Sequence, residues 1–177
     1  PQLKDKIIHQ SILDIEKPFA RKFTVIGNFP YNISSQILFI FFDWRDDVDC
    51  MIGMFQKEVA QRIAAPAGNK IYGVTSVLIQ AFYKVEYLFE VAEQCFMPPP
   101  KVKSGVLRLT PLPEPINMKS EQYFFQLVKT SFNQRRKTLR NAVRGLFDAT
   151  ILEDGVFNKR AEQLTVADFA ALTFKMR

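Results

Sequence analysis

The segment Asn28-Phe29-Pro30-Tyr31 contains residue types that could activate an aromatic amine such as the exocyclic amine of adenine. That nitrogen is a poor nucleophile because its lone pair is delocalised into the ring. The Asn28 amide oxygen and the Pro30 carbonyl could accept hydrogen bonds from its two N–H groups. These bonds would favour a tetrahedral nitrogen with its lone pair directed at an incoming methyl group. Tyr31 offers a flat face on which a flipped base can stack. Such chemistry needs positioning and electrostatics rather than a metal or a strong base.

The position of this motif in the chain is compatible with a substrate-binding loop and with a simple turn. The apolar, β-branched run 22–27 predicts a central strand that ends at the motif. In open α/β sheets, ligands bind beyond the carboxyl ends of the strands, which is where the motif would lie. The alternative is a Pro-Tyr turn that packs against a helix, because so short a pattern occurs by chance in many loops.

Strand and helix patterns alternate through the first 110 residues and predict an α/β layered domain. The predicted strands are 6–9, 22–27, 49–55, 87–91 and 105–109. The predicted helices are one that runs through 42 with Ser34 or Ser35 as its N-cap, one over 58–65 and one over 74–83. His9, the only histidine, lies in the first strand-like run, and we interpret it as structural.

A proline-rich segment, which contains Pro111, Pro113 and Pro115, is the best candidate for a domain boundary. Beyond it the pattern becomes helical only. The sequence therefore predicts two domains, residues 1–110 and residues 111–177, of which the second is small and all-helical.

A basic segment near the start of the second domain predicts contact with a polyanion. If 133–144 is one helix, arginines spaced four residues apart line one face, while Leu139, Val143 and Phe147 line another and can pack on the domain. The segment contains no Asp or Glu, whereas a solvated helix face normally mixes both signs, so we favour contact with RNA phosphates. Its basic residues are Arg135, Arg136, Lys137, Arg140 and Arg144.

The composition is that of a globular protein with a basic balance. Lys and Arg number 24 against 18 Asp and Glu, which gives a net charge of +6 and suits a polyanionic partner. Cys50 and Cys95 form no paired motif, and no apolar run is long enough to span a membrane, so we expect a cytoplasmic protein with reduced thiols. Asp46, Asp47 and Asp49 have no nearby His or Cys, and we predict a solvated loop and no metal site.

Three further blocks of sequence resemble the small-subunit ribosomal RNA adenine N6,N6-dimethyltransferase family. The first is QKEVAQR at 56–62, followed by Tyr72-Gly73, and the second is FMPPPKVKS at 96–104. The third is FNQRRKTLRN at 132–141, within the basic segment. Together with the Asn-Phe-Pro-Tyr motif they occur in the family's order and cover nearly the whole chain.

The resemblance implies a fold, an activity and a set of site residues. The fold is a Rossmann-like class I methyltransferase domain, here without its first strands, followed by a small helical domain. The activity is transfer of two methyl groups from S-adenosylmethionine to N6 of adenosines near the 3′ end of 16S rRNA in the assembling 30S subunit. Asn28, Pro30 and Tyr31 take the roles given above, Phe96 matches a second stacking aromatic, and Lys101 and Lys103 join the RNA-binding residues. Phe29 replaces the family's commoner Leu and is expected to face the core.

The sequence departs from the family in its cofactor-binding residues. The glycine-rich loop and the ribose-binding acid are not among these 177 residues, and the chain begins abruptly at Pro1, so we expect that an N-terminal portion is missing and that this chain alone is inactive. Asn28 and the position that contacts the cofactor's adenine remain. That position is Ser11, whose hydroxyl accepts more weakly than a carboxylate, and Asp14 is a nearby alternative.

Three other functions are compatible with parts of the pattern. A large-subunit rRNA adenine methyltransferase of the antibiotic-resistance type shares the Asn-x-Pro-Tyr/Phe loop, although the basic segment favours the small-subunit family. A non-catalytic ribosome-assembly or RNA-binding factor could keep the fold and lose the chemistry, but the intact Asn28, Pro30 and Tyr31 argue against it for the complete protein. A DNA adenine methyltransferase is less favoured, because its usual loop is a variant of Asp-Pro-Pro-Tyr.

Overall fold

The computed structural model describes residues 7–134 and 136–177. Short 3-10 segments connect the regular elements at several points. The strands are β1 (Phe23–Asn28), β2 (Val48–Gln56), β3 (Tyr83–Val91) and β4 (Ser104–Pro111), and the helices are α1 (Ser34–Asp43), α2 (Lys57–Ala64), α3 (Val74–Gln80), α4 (Glu121–Phe132), α5 (Leu139–Val143) and α6 (Val166–Thr173).

The strands of the described residues form one mixed sheet in the order β1-β2-β4-β3. β1 and β2 are parallel, and Gly27 pairs with Gly53. β4 is antiparallel to both of its neighbours, and its first residue, Ser104, pairs with Gln56 at the end of β2. The carboxyl ends of β1 and β2 therefore lie at the same edge of the sheet as the start of β4, and chain segments distant in sequence meet there.

Helices α1 to α3 cover one face of this sheet, where aromatic side chains form much of the core. Phe41 of α1 and Phe55 of β2 are both buried and both contact the Phe29 ring, with centroid separations of 5.9 and 5.7 Å. Along β1 burial alternates, and Ile26 on the opposite face is 76 % exposed. Asn28 belongs to that exposed face, so its side chain is not needed for the core.

Most of the predicted α/β elements are confirmed, but three predictions at their boundaries are wrong. The strand predicted over 6–9 is not formed at residues 7–9, and Lys6 lies outside the described residues. Ile7 and Ile8 are largely exposed, because no strand within the described part of the chain lies beside them. The helix predicted over 74–83 ends at Gln80, because the backbone from Tyr83 onward pairs with β4. Ser34 does not cap α1 but is its first helical residue, and its hydroxyl donates to the Tyr31 carbonyl.

The basic segment is not the continuous helix that its spacing predicts. α4 ends at Phe132, and α5 begins only at Leu139, whose N–H donates to the Lys159 carbonyl at 2.8 Å. Arg136 and Lys137 therefore lie in the intervening turn, and Arg140 and the C-cap Arg144 alone share one helical face. Arg135 lies outside the described residues. The prediction that the apolar side chains of this segment pack on the domain is confirmed, since Leu139, Val143 and Phe147 are fully buried.

Beyond the proline-rich segment, the described residues contain helices and no strand. These helices pack on the α/β part without a break in the buried core, since the Phe125 ring of α4 lies 5.4 Å from that of Phe42 in α1. Arg45 in the turn after α1 also pairs with Glu121 at the start of α4, at 2.7 Å. The division into domains at residue 110 stays a prediction.

Candidate active site

A surface pocket of about 290 Å³ lies at the edge of the sheet where β1 ends. One wall comes from the loop after β1 and the other from the proline-rich loop before β4, which are about 70 residues apart in the chain. The structure thus brings the four predicted catalytic residues together. The lining residues are Asn28, Phe29, Pro30, Tyr31, Phe96, Pro98 and Pro100.

Asn28 presents its side chain to this pocket from the last position of β1. Its backbone is held by pairing with Met54 of β2. The side chain is exposed, and its amide has no hydrogen-bond partner among the residues that the structure describes. The carboxamide oxygen is therefore available to an amine placed in the pocket.

The Pro30 carbonyl is the second predicted acceptor, and it already accepts one hydrogen bond. The chain turns after Pro30 into a 3-10 segment, Tyr31–Ile33, and the Ile33 N–H bonds to the Pro30 oxygen at 3.2 Å. A carbonyl oxygen has two lone pairs, so one remains for a ligand. The proline ring fixes the φ angle at −58°, and the hydrogen bond from the Ile33 N–H restrains the orientation of the carbonyl itself.

Tyr31 is fixed from both ends. Its carbonyl accepts the Ser34 hydroxyl at 3.0 Å, and its own hydroxyl lies 2.5 Å from the hydroxyl of Ser104. Ser104 is fully buried at the start of β4. Ser104 is the last residue of the FMPPPKVKS block, but no local pattern predicts this contact. Its contact holds the half-buried Tyr31 ring at the pocket wall.

Phe29 turns away from solvent and anchors the catalytic loop to the sheet. Its side chain is 8 % exposed, as the sequence predicted, and its ring lies over the paired glycines of β1 and β2. A Cβ atom added at Gly53 would approach the ring to 2.5 Å, and one at Gly27 would also collide with it. The two glycines therefore form a slot for this ring. Sequence reasoning missed the slot because it depends on the register between two strands.

The opposite wall carries Phe96, which follows the 3-10 segment Glu93–Cys95. Phe96 is half-buried and lines the pocket together with Pro98 and Pro100, while Met97 between them is 99 % exposed. The Met97–Pro98 peptide bond is cis. Two aromatic residues from different loops, Tyr31 and Phe96, thus border one pocket.

The positively charged residues beside the pocket are not all equally available. Lys57 Nζ lies 2.7 Å from Glu90 Oε1. Hydrogen bonding to Glu90 raises the pKa of Lys57, and hydrogen bonding to Lys57, aided by its charge and that of Lys103, lowers the pKa of Glu90. Lys101 and Lys103 are exposed and take part in none of the ion pairs of the described residues. They are the cations that a phosphate could reach here.

The predicted contact for the cofactor's adenine lies outside this pocket. Ser11 is exposed and caps the 3-10 segment Ile12–Asp14, where its hydroxyl oxygen accepts from the Leu13 N–H at 3.2 Å. The Asp14 carboxylate is exposed and has no hydrogen-bond partner among the described residues. Neither residue lines the pocket that contains Asn28, so their cofactor role stays a prediction.

Two solved structures of methyltransferases share this fold. A dimethyladenosine transferase from Plasmodium falciparum matches with a TM-score of 0.80 and 25 % identity, over 90 % of this chain and 68 % of that one. The 23S rRNA methyltransferase ErmE matches with a TM-score of 0.65 over 93 % of this chain and 71 % of its own, and at 21 % identity this likeness concerns the fold alone. The architecture is that of a Rossmann-like methyltransferase.

The chain belongs to the ribosomal RNA adenine dimethylase family, whose model matches residues 2–174. A ribosomal RNA small subunit methyltransferase A from Cytophaga hutchinsonii is 54 % identical over 98 % of this chain, and the chain spans 68 % of that protein. The predictions of a Rossmann-like methyltransferase fold and of the family are confirmed.

Two features are absent from the described residues, 7–134 and 136–177. No helix among them is long and apolar enough to cross a bilayer. No group of three or more His, Cys, Asp or Glu side chains among them is placed to hold a metal ion.

Proposed function

We propose that this protein transfers methyl groups from S-adenosylmethionine to N6 of adenosines near the 3′ end of small-subunit rRNA, two groups per adenosine, in the cytoplasm during 30S assembly. The observation that carries the proposal is the shared pocket of Asn28, Pro30, Tyr31 and Phe96 at the carboxyl end of β1. Membership of the ribosomal RNA adenine dimethylase family and the small-subunit relative from Cytophaga hutchinsonii support it.

Asn28 and Pro30 hold the reacting amine. The Asn28 oxygen and the free lone pair of the Pro30 carbonyl accept hydrogen bonds from the two N–H groups of the amine. This localises the nitrogen lone pair and directs it towards the methyl donor. Because Asn28 has no described partner to give up, this contact costs no hydrogen bond within the protein. The catalysis is therefore electrostatic positioning, with the acceptors in place before the base arrives.

Tyr31 and Phe96 hold the base itself. An adenosine within a stacked RNA must leave its neighbours before its amine can reach Asn28, and aromatic faces replace part of the lost stacking. The hydroxyl of Tyr31 is held by Ser104, so its ring is oriented before the base enters. Phe96 closes the other side from a loop that contains three consecutive prolines.

Asn28 at the end of β1, and Ser11 or Asp14 outside its pocket, are the described residues that would contact S-adenosylmethionine. When bound there, the donor supplies an electrophilic methyl group on a positively charged sulfur. The unpartnered amide of Asn28 lies where it can contact both donor and base. The Ser11 hydroxyl keeps one lone pair and its own hydrogen for the donor's adenine, and the Asp14 carboxylate is nearby as an alternative acceptor.

The second transfer places a different demand on the pocket. After one methylation a single N–H remains, so one of the two acceptors loses its partner. Asn28 tolerates this loss better than a buried acceptor, because its exposed oxygen can bond to water instead. The pocket is open to solvent at this point, which also leaves room for the first methyl group.

Exposed cations around the pocket and on the helical part bind the RNA backbone in this proposal. Each contributes through phosphate contact and release of counterions, without reading sequence. Arg135 is included by its place in the basic segment, although it lies outside the described residues. The other members are Lys101, Lys103, Arg136, Lys137, Arg140 and Arg144.

Methyl transfer to separated ribosomal subunits tests the proposal. The complete protein, labelled S-adenosylmethionine and unmethylated subunits are combined, and the label is located by nuclease digestion and identified as N6,N6-dimethyladenosine. We expect label on small-subunit rRNA and none on large-subunit rRNA or DNA. Label on large-subunit rRNA would replace the proposal with the resistance-type activity, and no label anywhere would favour a non-catalytic assembly factor. The 177-residue chain alone, run in parallel, is predicted to transfer none.

A further inference from the structure

Met97 is the most exposed large apolar side chain among the described residues, at 99 % of its maximum. Single apolar residues on a surface are ordinary. Met97 differs in its position, because both of its neighbours, Phe96 and Pro98, line the pocket for the target base. Its side chain is therefore open to solvent on the loop that forms one wall of the pocket.

The loop that carries Met97 is suited to hold a side chain in place. Prolines 98, 99 and 100 restrict the backbone on one side. On the other side the Phe96 N–H bonds to the Glu93 carbonyl at 3.2 Å, which ties the loop to the preceding 3-10 segment. Because the backbone of this loop is restrained on both sides, it would not move away when the Met97 side chain contacts a base stack.

The surroundings of Met97 favour a nucleic acid over an apolar protein surface. Lys101 and Lys103 follow within six residues, both exposed and outside the described ion pairs. Val102 between them is 42 % exposed, so the loop alternates apolar and cationic side chains. Apolar tips beside cations match the two components of RNA, which are the base faces and the phosphates.

We propose that Met97 is a wedge that enters the RNA base stack beside the target adenosine and occupies the place which that base leaves. Apolar side chains, methionine among them, are used in this way by proteins that open base steps. The wedge supports the flipped state from the side opposite the pocket, while Tyr31 and Phe96 hold the extruded base. This inference rests on the proposed function and names a positioning residue for it.

The test compares Met97→Ser with Met97→Leu in the complete protein, because the first removes the apolar wedge and the second preserves it. The substrate is structured small-subunit rRNA, with 2-aminopurine in place of the target adenosine for a parallel fluorescence measurement of unstacking. We expect Met97→Ser to lower kcat/KM about tenfold and to reduce the fluorescence rise. Met97→Leu is expected to stay close to wild type. Binding of a short unstructured oligonucleotide is expected to be the same for all three proteins.

Three results would overturn the inference. One is an unchanged kcat/KM and fluorescence for Met97→Ser on structured RNA. Another is an equal loss on structured and unstructured RNA, which would make Met97 part of the pocket wall. The third is a defect on assembled subunits but not on protein-free rRNA, which would assign Met97 to a ribosomal protein contact. If the wild-type protein methylates no RNA at all, the proposed function itself fails, and this outcome is distinguished by the wild-type rate.

Discussion

The hydroxyls of Tyr31 and Ser104 lie 2.5 Å apart and connect the loop after β1 to the first residue of β4. Ser104 is fully buried and pairs with both Gln56 and Val91 in the sheet, so it is a rigid anchor. This one contact orients an aromatic wall of the pocket, although the two residues are 73 positions apart in the chain. Its role is positioning, because Ser104 does not line the pocket itself.

Removal of either hydroxyl is therefore expected to have the same effect. Ser104→Ala and Tyr31→Phe should each lower kcat for methyl transfer about tenfold, since the ring remains but its orientation is no longer fixed. The double variant should lose little more than either single variant, because both remove the same hydrogen bond. Steady-state kinetics with RNA measures this, and Ser104→Thr, which keeps a hydroxyl, is the matched control. Fully additive losses would show that the two side chains act independently.

The glycine slot under Phe29 predicts a substitution that another substitution rescues. A Cβ atom at Gly27 would collide with the Phe29 ring alone, whereas one at Gly53 would also meet Phe55. Gly27→Ala is therefore the informative substitution, and it is expected to lower the free energy of unfolding by about 1–3 kcal/mol. Adding Phe29→Leu should restore much of this loss, because the smaller side chain leaves room for the new methyl group. Urea denaturation of the two single variants and the double variant measures the coupling. If the losses simply add, the ring does not occupy the slot.

Two tyrosines of β3, Tyr83 and Tyr87, offer a matched test of the core. The Tyr83 hydroxyl donates to the Phe41 carbonyl of α1 at 2.6 Å, and burial raises the pKa of Tyr83 above its ordinary value. Tyr83→Phe should lower the free energy of unfolding by about 1–3 kcal/mol, because the carbonyl loses its buried partner. Tyr87→Phe is the control, since the buried Tyr87 hydroxyl has no hydrogen-bond partner among the described residues. Equal losses in chemical denaturation would refute the distinction.

Arg140 and Arg144 are expected to act through phosphate contact alone. Arg140→Gln and Arg144→Gln should each reduce the slope of log affinity against log salt concentration by roughly one unit, with kcat at saturating RNA unchanged. Lys175→Gln is a suitable control, because the Lys175 ammonium already lies 3.0 Å from the Asp154 carboxylate. Binding titrations across salt concentrations measure these slopes. A slope equal to that of the wild type in both arginine variants would remove this surface from the RNA interface.

The features that sequence reasoning predicted depend on neighbours in the chain. The strand before Asn28 and the turn at Pro30 follow from local residue types, and burial of Phe29, Leu139 and Val143 follows from apolar patterning. The errors arose where a distant partner decides the structure. The Lys159 carbonyl accepts a hydrogen bond from the Leu139 N–H, where a separate helix begins instead of the continuous basic helix that was predicted. β4 pairs with the backbone from Tyr83 onward, where the predicted helix would have continued.

The unpredicted parts of the site have the same cause. Ser104 reaches Tyr31 across 73 positions of sequence, and the two glycines of the slot meet only through strand register. Nothing in the local sequence encodes either relationship. The pocket's principal residues were predictable because they occur in short motifs, whereas the residues that orient them were not.

Single-turnover methyl transfer by Asn28 variants tests the central claim most directly. The complete protein is compared with Asn28→Ala, which removes the amide acceptor, and Asn28→Asp, which keeps an acceptor oxygen, with S-adenosylmethionine and RNA binding measured separately. We predict that Asn28→Ala loses on the order of 10²–10³ in rate while it still binds RNA, and that Asn28→Asp retains more activity than Asn28→Ala. An Asn28→Ala protein that methylates small-subunit rRNA at the wild-type rate would contradict the assignment of this pocket as the active site.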